Sequence, residues 1–140
     1  MTERVWWLAV LTLLFVPLGV PVVAHADDAT GYNRTVRPIL ADNCFACHGP
    51  DSAARKADLR LDKREAAIDS GAIVPGKPDD SELIQRITST DPEALMPPAA
   101  SHKKLTEAQK ATLTRWIAEG AAYEPHWSFI APQRPAVPHV

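Results

Sequence analysis

A small all-α domain with long loops and an extended, proline-rich C-terminal tail is the fold class predicted by this 140-residue sequence. Three observations predict it. Apolar residues recur at helical spacing in several short stretches; no stretch alternates with the period of a strand; and proline- and glycine-rich connectors separate the helical stretches. No internal repeat or low-complexity tract interrupts this pattern.

The first residues read as an export signal. Arg4 precedes "VWWLAVLTLLFVPLGVPVVA", which carries no charge, and "AHA" at Ala24 to Ala26 matches a small-x-small cleavage pattern. The expected organisation is a signal peptide over 1–26, one domain over 27–123 and a proline-rich tail or linker over 124–140. The apolar run is nearly long enough to span a bilayer as an uncleaved anchor. Pro17, Pro21 and the placed alanines favour cleavage, which leaves no stable membrane span and a periplasmic or otherwise exported product. Charge is nearly balanced, with 15 Lys+Arg against 17 Asp+Glu, so neither nucleic acid nor an anionic membrane surface is an expected partner. A domain this small buries little surface, and a covalent or metal staple would help it.

The elements follow in order. In "YNRTVRPILADNC", Val36, Ile39, Leu40 and Cys44 share one helical face. Pro38 lacks a donor and disfavours helical angles at Arg37, so the helix is expected to begin near Pro38 and lead into the cysteines. "GPDSAARKADLRLD" reads as a loop. A short helix is expected at "DKREAAI" with Asp62 as its cap, followed by the turn-rich connector "IVPGKPDD". Ser81 or Asp80 can cap a helix through "SELIQRIT", whose Leu83, Ile84 and Ile87 share a face. After the loop "STDPEALMPPAASHKK", Thr106 and Gln109 form a capping-box pattern for the clearest helix. Leu113, Trp116 and Ile117 are its apolar stripe and Gly120 its stop. From Glu124 the chain turns proline-rich, and Trp127 and Phe129 look like anchors for docking the tail on a folded surface.

The chemistry lies in "CFACHG", Cys44 to Gly49, which holds both cysteines of the chain. A disulfide explains the cysteines but not the adjacent histidine. A thioredoxin-like pair follows a strand in a βαβ setting, which is missing here. Zinc needs about four ligands, and Cys44, Cys47 and His48 leave it one short. Haem c asks for this arrangement: two thiols spaced to add across two vinyl groups, and an imidazole next in line along the ring normal. Cys44 and Cys47 are therefore the expected attachment points and His48 the proximal iron ligand.

A second axial ligand is then needed. Apart from the initiator, Met96 is the single methionine, set in "ALMPPA" where Pro97 and Pro98 stiffen the loop. Thioether sulfur is a soft ligand that favours ferrous iron. The rivals are His102, which sits beside Lys103 and Lys104, and His126 and His139 in the tail. Arg55, Lys56, Arg60, Lys63 and Arg64 form a basic cluster, offset by Asp51, Asp58 and Asp62. It can neutralise haem propionates, meet an acidic partner, or stand as a solvated face. Trp116 is expected in the core near the haem edge.

With these residues in view, the chain resembles the planctomycete-type cytochrome c domain from about Tyr32 to Pro138. The resemblance rests on "VRPIL", "CFACHGPD", "RKADLRLD", "IVPGKPDDSELIQRI", "MPP", "LTEAQ", "LTRWIAEGA" and "HWSF". It implies a class I-like cytochrome c fold, with long loops wrapped around one haem c bound through Cys44 and Cys47, ligated by His48 and Met96. The implied role is one-electron transfer. In such proteins the segment like "HWSFIAPQRPAVP" leads into further large domains. Two expectations follow: a solitary electron carrier with a redox protein partner, or a haem-bearing electron-acceptor module at the front of a larger oxidoreductase or hydrolase-like exported protein. With both axial positions filled by protein, no site for substrate chemistry is expected on the iron.

Overall fold

The chain enters its first helix through a π turn, and Pro38 explains why. The computed structural model describes residues 31–129 and 131. Tyr32–Val36 is π-helical and runs directly into α1, Arg37–Asn43. The Arg37 amide donates five residues back, to the Tyr32 carbonyl. In an α-helix the Pro38 ring would press on the carbonyl four residues earlier; the wider π turn moves that carbonyl aside. Arg37 thus keeps helical angles, φ −56° and ψ −42°, contrary to the expectation that Pro38 would exclude them, and the helical path starts at Tyr32.

Four further helices follow: α2, Phe45–His48; α3, Arg64–Asp69; α4, Glu82–Thr88; and α5, Glu107–Ala118. Short 3-10 turns occupy Ala99–Ser101 and Trp127–Phe129. Among the described residues there is no strand, so the fold is all-α, and no helix is long and apolar enough to cross a membrane. The signal expected at 1–26, the tail residues 130 and 132–140, and His139 with them, lie outside the described residues.

The core forms where α5 lies against both α4 and the π turn, with α1 packed alongside. Val36, Leu40, Leu113 and Ile117 are wholly buried, and Leu83, Ile84 and Ile87 supply the buried face of α4. Burying such a side chain contributes about 1.5–3 kcal/mol. α5 is also the best-terminated helix. The Thr106 hydroxyl accepts from the Gln109 amide while the Gln109 side chain accepts from the Thr106 amide, a complete capping box. At its far end Gly120, at φ +102°, takes the left-handed conformation. The Gly120 amide then reaches the Ile117 carbonyl and the Ala121 amide the Trp116 carbonyl, a Schellman closure.

Two expected caps are replaced by other contacts. Asp62 does not cap α3, whose N-cap is Lys63; its carboxylate is held by Arg60. Ser81 stands at the N-cap of α4 but does not cap it. Its buried hydroxyl accepts from the Val74 amide at 2.9 Å and donates to the Lys77 carbonyl at 2.9 Å, closing the "IVPGKPDD" turn instead. A buried hydroxyl needs partners, and the tight connector offers a donor and an acceptor together.

The start of the tail is docked. The Asn33 amide donates to the Glu124 carboxylate and the Asn33 side chain to the Pro125 carbonyl, so Glu124 satisfies an N–H at the mouth of the π turn. Beyond it Phe129 is 84% exposed and stacks edge-on with His126; it does not anchor the tail to the body of the domain.

Candidate functional site

Cys44 closes α1, its amide bonded to the Leu40 carbonyl at 2.8 Å, and also starts α2. Because α2 is only one turn long, the chain must leave it at once, and Gly49 permits that. A Cβ on Gly49 would lie 2.3 Å from the Phe45 carbonyl oxygen, closer than any side chain tolerates. Gly49 is thus a steric requirement of the site that sequence reasoning quoted without assigning it a role.

The loop after α2 returns to meet the helix it has just left. The Lys56 amide donates to the Cys47 carbonyl and the Leu61 amide to the His48 carbonyl, both at 2.8 Å, satisfying carbonyls that the short helix leaves open. Arg55 ties the loop down with bonds to the Gly49 and Pro50 carbonyls and to Asp58. Ala57 and Asp58 hold positive φ, +54° and +51°, which costs about 1–2 kcal/mol per residue and is offset by these ties. The result brings the Lys56 carbonyl to 3.3 Å from His48 Nδ1. A carbonyl can only accept, so this contact requires the hydrogen on Nδ1 and leaves Nε2 with its lone pair for a metal. Nothing in the sequence pointed to Lys56 here, because the contact is made by main chain.

Met96 arrives from the other side. Within the preceding loop, the Ala94 and Leu95 amides bond to the Asp91 carbonyl and the Glu93 amide to the Asp91 carboxylate. The Met96 amide then bonds to the Arg86 carbonyl near the end of α4, at 3.1 Å, sharing it with the longer 3.4 Å bond from the Ser89 amide that caps the helix. The Met96–Pro97 peptide bond is cis.

These segments enclose a cleft in two neighbouring parts, of about 220 Å³ and about 90 Å³. Cys44, His48, Ile87 and Met96 line both. Leu59, Leu61 and Leu83 wall the larger part; Ala46, Cys47 and Pro98 border the smaller. All four residues singled out in the sequence therefore meet at one cleft, whereas neither His102 nor His126 lines it. Trp116 does not line it either; it packs against Tyr32 and Tyr123, with centroids at 5.8 and 5.2 Å.

Cys44 and Cys47 are both free, Cys47 exposed and Cys44 partly buried. Desolvation pushes the Cys44 thiol up to about 11, with Lys103 pulling the other way and Cys47 adding to the rise. Among the described residues no three His, Cys, Asp or Glu side chains gather to hold a metal ion, so the cysteines and His48 do not form a zinc-type cluster. The expected basic cluster is mostly spent on structure: Arg55 on its loop, Arg60 on Asp62, and Arg64 on the Gly120 and Ala121 carbonyls behind α5.

The protein is thus a small helical domain with an apolar cleft edged by two thiols, an imidazole and a thioether, a set of donors that pairs nitrogen with soft sulfur. The family model for planctomycete cytochrome C matches residues 44–100, a segment that includes Cys44, Cys47, His48 and Met96. The match is shorter than the Tyr32 to Pro138 stretch over which the resemblance was drawn. No curated protein and no solved structure matches the chain.

Proposed function

We propose that this chain is an exported monohaem c-type cytochrome that passes one electron at a time to and from a redox protein partner or further domains. Its haem c is bonded through Cys44 and Cys47, with His48 proximal and Met96 distal. The supporting observation is that Met96, distant in sequence from Cys44 and His48, lines the same apolar cleft as they do. The residues present fit the group. The walls are aliphatic, the two sulfurs stand at the edge, and the donor set pairs nitrogen with thioether.

When bound, haem supplies the Fe(III)/Fe(II) couple. The chain's residues supply the rest. Leu59, Leu61, Leu83 and Ile87 exclude water, which favours the less charged oxidation state. The Lys56 carbonyl holds the proton on His48 Nδ1 and so orients the ring. The Arg86 carbonyl keeps Met96 over the cleft.

The deciding experiment is the intact mass of secreted protein from cells competent in haem maturation, with a reduced visible spectrum. Polypeptide plus one haem, and a sharp low-spin c-type spectrum, are expected. A mass equal to bare polypeptide defeats the reading. Met96→Ala should lower the midpoint potential and yield high-spin or water-bound iron; persistence of the sulfur-to-iron charge-transfer band in that variant would remove Met96 from the assignment.

A further inference from the structure

Among the described residues, three side chains that are charged at neutral pH line the cleft: Glu82 and Arg86 in its larger part and Lys103 in its smaller. The arginines that follow the cysteines in sequence are committed elsewhere, as described above. Lys103 gives its ammonium to the Asp42 carbonyl near the end of α1. Arg86 differs. Its Nε and Nη2 both donate to a single oxygen of Glu82, Oε1, at 2.9 and 2.8 Å. That pair engages one oxygen of the carboxylate and part of the guanidinium fork. Both side chains are partly solvated, at 43% and 56% exposure, so the pair adds little stability of its own and leaves the guanidinium accessible at the lip.

A haem brings two propionates with it. Burying the ring's apolar body in the cleft leaves those carboxylates at the lip, where each needs donors. Resting on the haem reading above, the geometry points to Arg86 as the residue that holds a ring carboxylate at the lip of the cleft, with Glu82 keeping its fork in position. A guanidinium matches a carboxylate in two parallel bonds, which an ammonium cannot do. Arg86 then has two roles: its side chain fixes the ring, and its carbonyl fixes the amide of Met96. Ring and distal loop are positioned from one turn of α4.

The test uses intact, haem-loaded protein as wild type, Arg86→Gln, Arg86→Lys and Glu82→Gln. The readouts are the propionate-bending band in the resonance Raman spectrum and the midpoint potential. Arg86→Gln should shift the band and lower the midpoint, because a positive charge near the iron is lost. Arg86→Lys should still shift the band, since the fork is gone, yet hold the midpoint near wild type, since the charge remains. Glu82→Gln should leave the band in place and raise the midpoint. A band unmoved in Arg86→Gln, or in Arg86→Lys should the former not accumulate, overturns the assignment. Failure of the haem reading is separate and visible first, as wild-type protein carrying no covalent haem.

Discussion

One half of this domain's core closes on its own side chains, and the other half borders a cleft. On the filled side Tyr32, Trp116 and Tyr123 stack on one another with centroids 4.6 to 5.8 Å apart. Behind them lie Leu113 and Ile117, wholly buried, and the Trp116 indole donates to the Ala122 carbonyl at 2.9 Å. On the cleft side Leu61, Leu83 and Ile87 are buried in the same core, with Leu59 packed against it, and line the cleft with one face. Apolar walls without apolar filling are costly to maintain, because their contacts are missing on one face. On the haem reading proposed above, the cleft is the place for a core element that the polypeptide does not encode, beside a half packed by its own side chains.

The strongest way to break that contrast is to deny the cleft its covalent filling. Changing Cys44 and Cys47 together to serine should abolish attached haem altogether, read as loss of the haem mass and of the c-type spectrum. The filled side predicts what survives: the variant should keep helical circular dichroism from α5 and the π turn while its thermal transition falls and broadens. Complete loss of helix would show that the two halves are not separable. His48→Ala should also impair maturation, although both thiols remain.

Truncation sharpens the comparison. Leu113→Ala on the filled side should cost about 2–5 kcal/mol in denaturant unfolding, and by a similar amount whether or not haem is attached. Leu83→Ala at the cleft wall should cost more in the haem-loaded protein than in the Cys44/Cys47 double variant, because a loaded cleft adds contacts on the cleft-facing side of a residue that the core already buries. Equal costs in both backgrounds would mean that the cleft walls collapse onto each other without the ring.

The two halves also differ in how plainly the sequence announced them. α5 was legible throughout, from the Thr106–Gln109 box to Gly120, because its signals are local and each is satisfied by the helix itself. The buried face of α4 was legible by the same periodicity. That Cys44, Cys47, His48 and Met96 share a cleft was foreshadowed by "CFACH" and by the lone methionine of "ALMPPA", since those residue types in that register have few other uses. What holds them in place was not. Lys56 and Arg86 act on His48 and Met96 through carbonyls, which every residue possesses, so no side-chain pattern marks them. The π turn escaped for a related reason: Pro38 signals a helix start, and only tertiary packing of Tyr32 against α5 makes continuing the helix backwards worthwhile. Asp62 and Ser81 were sound caps by residue type, overruled by Arg60 and by the connector turn.

The smallest expected effect lies where the halves meet. Leu61 joins them through its main chain: its amide donates to the His48 carbonyl at 2.8 Å and its carbonyl accepts from the Tyr123 hydroxyl at 3.0 Å. Tyr123→Phe removes that second bond and should cost about 1 kcal/mol at neutral pH. The same residue predicts a pH signature. Burial pushes the Tyr32 phenol up to about 12 and raises Tyr123 further still, with the Tyr32 charge adding to the latter shift. In the unfolded chain both ionise near about 10. The folded state therefore binds more protons above that pH, so stability is fully present below about 10 and declines as pH rises through about 12. Tyr123→Phe should make this alkaline decline shallower while leaving the low-spin spectrum and midpoint potential close to wild type. If its midpoint instead moves as far as that of Met96→Ala, the aromatic half does more than support the cleft, and the Leu61 bridge transmits between them.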